Sequence, residues 1–221
     1  MGGHCLWDGT LSPNDFIASA DDLTKKWMAI NPNLPQWTWI PCQRMDVSCN
    51  TQAEGYLALE NMYQLSASEV NAPTDDENYS AEEAPFDNAT LIQSYNDDMH
   101  IYDFHIVYSF SYQVPVLYFR GYRCDGHPLH LCDIEKDLPP YSAKIRNESK
   151  WTFMTQEEHP YLCCPWYTLH PCGTSDWMKL LLGGSLPSKN PDMLHYLSAW
   201  LSVVGQTVGL RIPLELHDKS I

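Results

Sequence analysis

The stretch from His100 to Tyr112 constrains the fold more than any other part of this sequence. Large apolar residues (Tyr102, Phe104, Ile106, Tyr108 and Phe110) alternate there with Asp103, His105 and Ser109. A period of two belongs to a strand with one face against a core, because successive side chains leave a strand on opposite sides. The apolar run from Val114 to Tyr122 supplies a second strand beside it. Proline cannot donate to a ladder, so Pro115 belongs at that strand's start or at a sheet edge. Asp125-Gly126 provides the turn that follows.

A sheet with one apolar face needs a cover, and the sequence offers helices at both ends. Ser12-Pro13 with Asp15 forms a helix start, Phe16, Ala20, Leu23 and Trp27 recur at helical spacing, and Asn31-Pro32 closes the helix. Further short strands are predicted at Trp37 to Ile40 and Tyr56 to Leu65, the latter with Leu57, Leu59, Tyr63 and Leu65 on one side. A short helix is expected from Ser175 to Leu182. A longer one should open at Asn190-Pro191, carry Met193, Leu194, Leu197, Trp200, Leu201 and Val204 inward, and stop at Gly205. Between the strands, 66–98 turns to Ser, Asn, Pro and acids without periodicity, which reads as a long mobile acidic loop. The order of helix, antiparallel strands, irregular segment and two helices is α+β. The 221 residues suit a single domain, 1–221.

Composition narrows the function classes. The formal charge is −15, and no Lys or Arg stands between Arg44 and Arg120, so nucleic acid is excluded as a partner and a basic protein surface is favoured. No apolar run is long enough for a membrane span, and Met1 to Thr10 lacks a signal peptide's regions, so a cytoplasmic protein is expected. In that compartment the eight cysteines are thiols rather than a disulfide framework. None shows C-x-x-C spacing, so neither a metal nor a cofactor is expected.

One thiol is placed differently from the others. Cys172 lies in His170-Pro171-Cys172-Gly173-Thr174, between a stiffening proline and a freeing glycine, immediately ahead of a helix start. The unpaired N–H groups of such a start favour a thiolate, which is the nucleophilic form. His170, two residues earlier, is open to three roles: base, electrostatic partner or loop residue. A cysteine hydrolase using Cys172 with His105, His159 or His195 is an alternative chemistry.

Three segments carry a resemblance: Tyr108 to Arg120, the HPCGT stretch from His170 to Thr174, and Trp200 to Leu210. Together they resemble the E2-like conjugating enzymes of autophagy, the autophagy protein ten family, in its plant form. The likeness extends from about Trp37 to Leu214. It implies an E2-like fold and a thioester on Cys172. The activating enzyme, autophagy protein seven, would supply the ubiquitin-like modifier autophagy protein twelve, and the acceptor would be a lysine of autophagy protein five. It also implies acceptor docking through the hairpin from His100 to Tyr122, so that Asp103 and His105, on the face away from the core, become candidate acceptor-binding residues. Ordinary ubiquitin E2 enzymes carry a His-Pro-Asn motif whose asparagine helps stabilise the oxyanion. No such asparagine stands here, which leaves backbone N–H groups, Thr174 or polar residues near Gln156 for that role. The remaining alternative is a catalytically silent E2-like adaptor.

Overall fold

The computed structural model describes residues 7–42, 55–65, 99–139, 154–183 and 192–217. The expected acidic loop at 66–98 and the helix opening at Asn190-Pro191 lie outside the described residues.

Helix α1, Pro13–Ile30, starts as its sequence dictates. Ser12 Oγ accepts the N–H of Asp15, Pro13 occupies the first turn, and Asn31 ends the helix. Phe16, Ala20, Leu23 and Trp27 are buried along one face. Six strands follow: β1 Thr38–Pro41, β2 Gly55–Leu65, β3 Met99–Ser109, β4 Val114–Arg123, β5 Thr155–Glu158 and β6 Pro165–Thr168. They form an antiparallel sheet in the order β1-β2-β3-β4-β6-β5. Helix α2, Leu131–Asp137, follows β4, α3 is Thr174–Leu182, and α4 is Tyr196–Thr207, preceded by a 3-10 turn at Met193–His195.

The main core lies between the sheet and the helices. Leu57, Leu59, Tyr102, Phe104, Ile106, Leu117 and Phe119 meet Phe16, Leu23, Trp27, Leu197, Trp200 and Leu201 there. Ser19 pins the helical layer together, because its Oγ donates to Leu194 O at 3.0 Å and accepts the N–H of Leu197 at 2.8 Å. The opposite face of the sheet has its own smaller cluster of Tyr56, Ala58, Val107, Val116, Tyr118 and Trp166.

Several strand expectations are corrected. Tyr63 does not share a face with Leu57 and Leu59. A bulge shifts the register between Leu59 and Met62, Met62 packs on the core instead, and Tyr63 is 62% exposed. Asn61 takes the left-handed conformation at the bulge, with φ of 61°, and its N–H donates to Asp103 Oδ1 at 3.0 Å. Phe110 is not core either, since β3 ends at Ser109 and Phe110 enters the turn, 46% exposed. Strand β4 is interior: β6 pairs with it at Tyr118 and Phe119. Of the two places expected for Pro115 the strand's start holds, since it is the second residue of β4 and precedes that paired portion. Gly205 does not stop the last helix, which runs on to Thr207.

Candidate functional site

Strand β6 delivers the chain to the site. Beyond Thr168, His170 begins a 3-10 turn, Pro171–Gly173, that runs directly into α3. Each residue of the turn has a local reason to be there. Pro171 supplies the first position, where a missing N–H costs nothing, and its carbonyl accepts the N–H of Thr174. His170 Nδ1 accepts the backbone N–H of Cys172 at 3.2 Å. That bond assigns the tautomer: in the neutral ring the proton sits on Nε2. The start of α3 is also tied to the N-terminal segment at Gly9, whose φ is 93° and whose added Cβ would fall 1.8 Å from Ser175 O, so only glycine fits there.

Cys172 is a free, exposed thiol at the N-terminal end of α3. Exposure alone does not single it out, because Cys124, Cys132 and Cys163 are free and exposed too. Its setting does. Gly173 has φ of −97°, which any residue adopts, so the expectation that this glycine frees the backbone is not met. A Cβ added there would meet nothing within 4 Å. Neither backbone conformation nor packing therefore confines position 173 to glycine.

Two cavities converge on His170. The larger, about 620 Å³, opens on the sheet face away from the helices and is lined by Phe110, Tyr112, Tyr118, Glu157, Tyr161 and Pro171, among others. The smaller, about 180 Å³, lies on the helix side between Leu169, Thr174, Trp177, Trp200 and Val203. Tyr112 stands against the His170 ring edge to face, centroids 5.8 Å apart.

The structure brings Cys172, His170 and Thr174 into one turn, with Thr174 buried and lining the smaller cavity. Gln156 is not part of this arrangement. It is exposed on β5 opposite Tyr167, and it lines neither cavity. Asp103 and His105 do face away from the main core, but they are covered. His105 is 1% exposed and Asp103 7%, so His105 offers no surface for a partner to touch. The cover is the β5–β6 turn with Trp166, whose ring lies 4.2 Å from that of His105. Asp103 Oδ2 meets Arg120 Nε at 3.3 Å, and the Arg120 guanidinium stacks over Trp166 at 4.2 Å.

His105 and His159 form a buried pair whose protons can be placed. His159 Nδ1 accepts the N–H groups of Tyr161 and Leu162, each at 3.3 Å, so its proton is on Nε2. That N–H reaches His105 Nδ1 at 3.1 Å. The His105 proton is then on Nε2, 3.5 Å from Glu60 Oε1. Burial pushes the pKa of His105 down to about 3, with repulsion from His159 and Arg120 adding to it. Burial and then Arg120 push that of His159 down to about 4. Both histidines are therefore occupied with each other and unavailable to Cys172. His195 sits with Lys26 and Asp22 instead. The Cys-His hydrolase alternative is left with His170, whose Nδ1 holds a backbone N–H. Among the described residues no three His, Cys, Asp or Glu side chains cluster as metal ligands, and no helix is long and apolar enough to cross a membrane.

Sequence reasoning missed Tyr112, Glu157 and Tyr161 as parts of the site. The only local signal was His159-Pro160, a histidine-proline pair ahead of the cysteine but without an asparagine after it.

Comparison with known proteins identifies the setting. Residues 15–215 match the family described as autophagocytosis associated protein, active-site domain. The ubiquitin-like-conjugating enzyme ATG10 of Arabidopsis thaliana is 47% identical over 216 residues, covering 95% of this chain and 96% of its own. The Homo sapiens ubiquitin-like-conjugating enzyme ATG10 is 41% identical over 133 residues, 60% of each chain. A crystal structure of the autophagic E2 Atg10 aligns over 92% of this chain and 100% of its own, with 18% identity and a TM-score of 0.44.

Proposed function

Because this chain belongs to the family of E2-like, ubiquitin-like-conjugating enzymes of autophagy, we propose that Cys172 is the residue that carries the modifier, as a thioester. The modifier is autophagy protein twelve, the donor is the activating enzyme autophagy protein seven, and the acceptor is a lysine of autophagy protein five. The reaction takes place in the cytoplasm. The observation that carries this reading is the placement of a free, exposed thiol on the turn that opens α3, with a large groove ending at His170 and Pro171 immediately before it.

The chemistry needs little more. In loading, the Cys172 thiolate attacks the carbonyl carbon of the donor thioester, the new C–S bond forms, and the donor's thiolate leaves. Exchange between thioesters is nearly balanced in energy, so a reachable thiolate matters more than a strong base. In discharge, a neutral lysine amine attacks the same carbon, the C–S bond to Cys172 breaks, and the ammonium proton is lost as the isopeptide forms. The oxyanion of either step faces the first turn of α3. The N–H of Cys172 is already held by His170 and that of Thr174 by the Pro171 carbonyl, which leaves the N–H groups that follow Thr174 in the first turn of α3, and the Thr174 hydroxyl, as the donors that this reading assigns.

Single-turnover discharge tests the reading as a whole. Enzyme loaded with modifier should release it onto the acceptor as an isopeptide. A protein that binds both partners and transfers nothing is the adaptor, and one that frees the modifier from a finished conjugate is a hydrolase.

A further inference from the structure

The larger cavity has a chemical character that the conjugation reaction does not by itself require. One wall is the β3–β4 turn, with Phe110 and Tyr112 exposed at 46% and 45%. The other wall is Glu157 on β5 with Pro160 and Tyr161, and Tyr118 and Val116 line it from β4. It ends at His170 and Pro171, immediately before Cys172. Among the described lining residues Glu157 is the one carboxylate, and there is no Lys or Arg. Glu157 is exposed, and its Oε1 accepts the hydroxyl of Thr155 at 3.0 Å, which leaves the remaining carboxylate capacity turned to solvent. Register places it opposite Trp166 on β6, on the sheet face that carries the groove. Its neighbour Gln156 points to the other face.

Aromatic walls with a single anion complement a side chain that has an apolar stem and a cationic head. We infer that this groove receives a basic, extended segment of the acceptor, with Glu157 pairing to a cation that flanks the target lysine. The inference rests on the reading of Cys172 as the thioester residue and adds the acceptor's docking path to it. With Asp103 and His105 buried, the part of the hairpin that this docking path would touch is its turn, at Phe110 and Tyr112. Glu157 acts as a docking residue and not as a base. A carboxylate beside an ammonium favours the charged form, so the cation that it holds is not the amine that attacks. Its contribution therefore lies in acceptor affinity.

The test uses full-length enzyme, thioester-loaded with modifier, and measures single-turnover discharge over a range of acceptor concentrations and onto free L-lysine. Loading is measured first. Glu157→Gln should raise the half-saturating acceptor concentration about five- to tenfold, and Glu157→Lys further, with the maximal rate unchanged. Loading and discharge onto free lysine should stay within about twofold, and the defect should shrink as salt is raised from about 0.05 to 0.5 M. Unchanged acceptor dependence in Glu157→Lys overturns the inference. So does a parallel fall in loading, which gives the groove to the modifier's own tail. Failure of the unaltered enzyme to load Cys172 overturns the earlier reading, and the loading step shows this before any discharge is measured.

Discussion

His170 accepts the backbone N–H of Cys172 through Nδ1 at 3.2 Å, so the histidine two residues before the thiol orders the turn that presents it. Asn carries an acceptor at nearly the same position as Nδ1 and has no basic nitrogen. His170→Asn should therefore retain loading within about threefold, whereas His170→Ala should lose about tenfold, the value of one ordering hydrogen bond. Equal losses in the two variants would assign His170 a proton-transfer role instead. The measurement is the initial rate of reducible adduct formation.

The His105–His159 pair sets a pH dependence of stability. Both are held neutral, with pKa values of about 3 and about 4, against about 6.5 in an unfolded chain. Below pH 6.5 the unfolded state takes up protons that the folded state refuses, so stability is full above that value and falls as pH drops toward 4. The loss at pH 5 relative to pH 7.5 should be on the order of 4 kcal/mol, about 2 from each histidine. Urea unfolding at the two pH values checks it, with His105→Gln/His159→Asn as the comparison. That double variant should show a flatter pH dependence, and an unchanged slope would contradict the assignment.

Asp103 binds two groups at once, the Asn61 N–H at the bulge and the Arg120 guanidinium. Asp103→Ala should destabilise the protein by about 2 kcal/mol, because it strips the N–H that fixes the bulge and a half-buried cation of their partner. Hydrogen exchange at the Asn61 amide should quicken. Loading and discharge should fall together, by the fraction unfolded, unlike the discharge-only loss expected of an acceptor-docking residue.

Gly173 offers a clean separation of stability from access. An added Cβ meets nothing within 4 Å and φ is −97°, so Gly173→Ala should leave stability within about 0.5 kcal/mol. If a partner packs against the turn at this position, loading should slow several-fold while thermal unfolding stays put. Unchanged loading would make the glycine incidental.

Much of this architecture was legible in the residues, for identifiable reasons. Tyr102, Phe104, Ile106 and Tyr108 alternate because the helices cover one face of β3, and Ser12-Pro13 caps α1 by local chemistry alone. The turn that holds Cys172 is local as well, since Pro171 opens it and it runs directly into α3. What escaped depended on distant partners. Asp103 and His105 read as outward because they are polar, yet Trp166 and Tyr161 close over that face from more than 50 residues away in sequence. Strand β5, Thr155-Gln-Glu-Glu, has no apolar alternation and is a strand only because β6 pairs with it. The bulge at Asn61 reverses the facing of Met62 and Tyr63 through a hydrogen bond to a residue 42 positions on. The groove itself joins 110–112, 157–161 and 170–171, and no local pattern connects them.

The most direct test of the account is the site of the adduct. Enzyme, activating enzyme, modifier and ATP are combined, and the product is resolved with and without reductant and mapped by mass spectrometry. The account predicts one reductant-sensitive adduct, on Cys172. It should be lost in Cys172→Ala, replaced by a reductant-resistant ester or by nothing in Cys172→Ser, and retained when Cys42, Cys124, Cys132, Cys163 or Cys164 is changed singly. A reductant-sensitive adduct of the same yield in Cys172→Ala would contradict it.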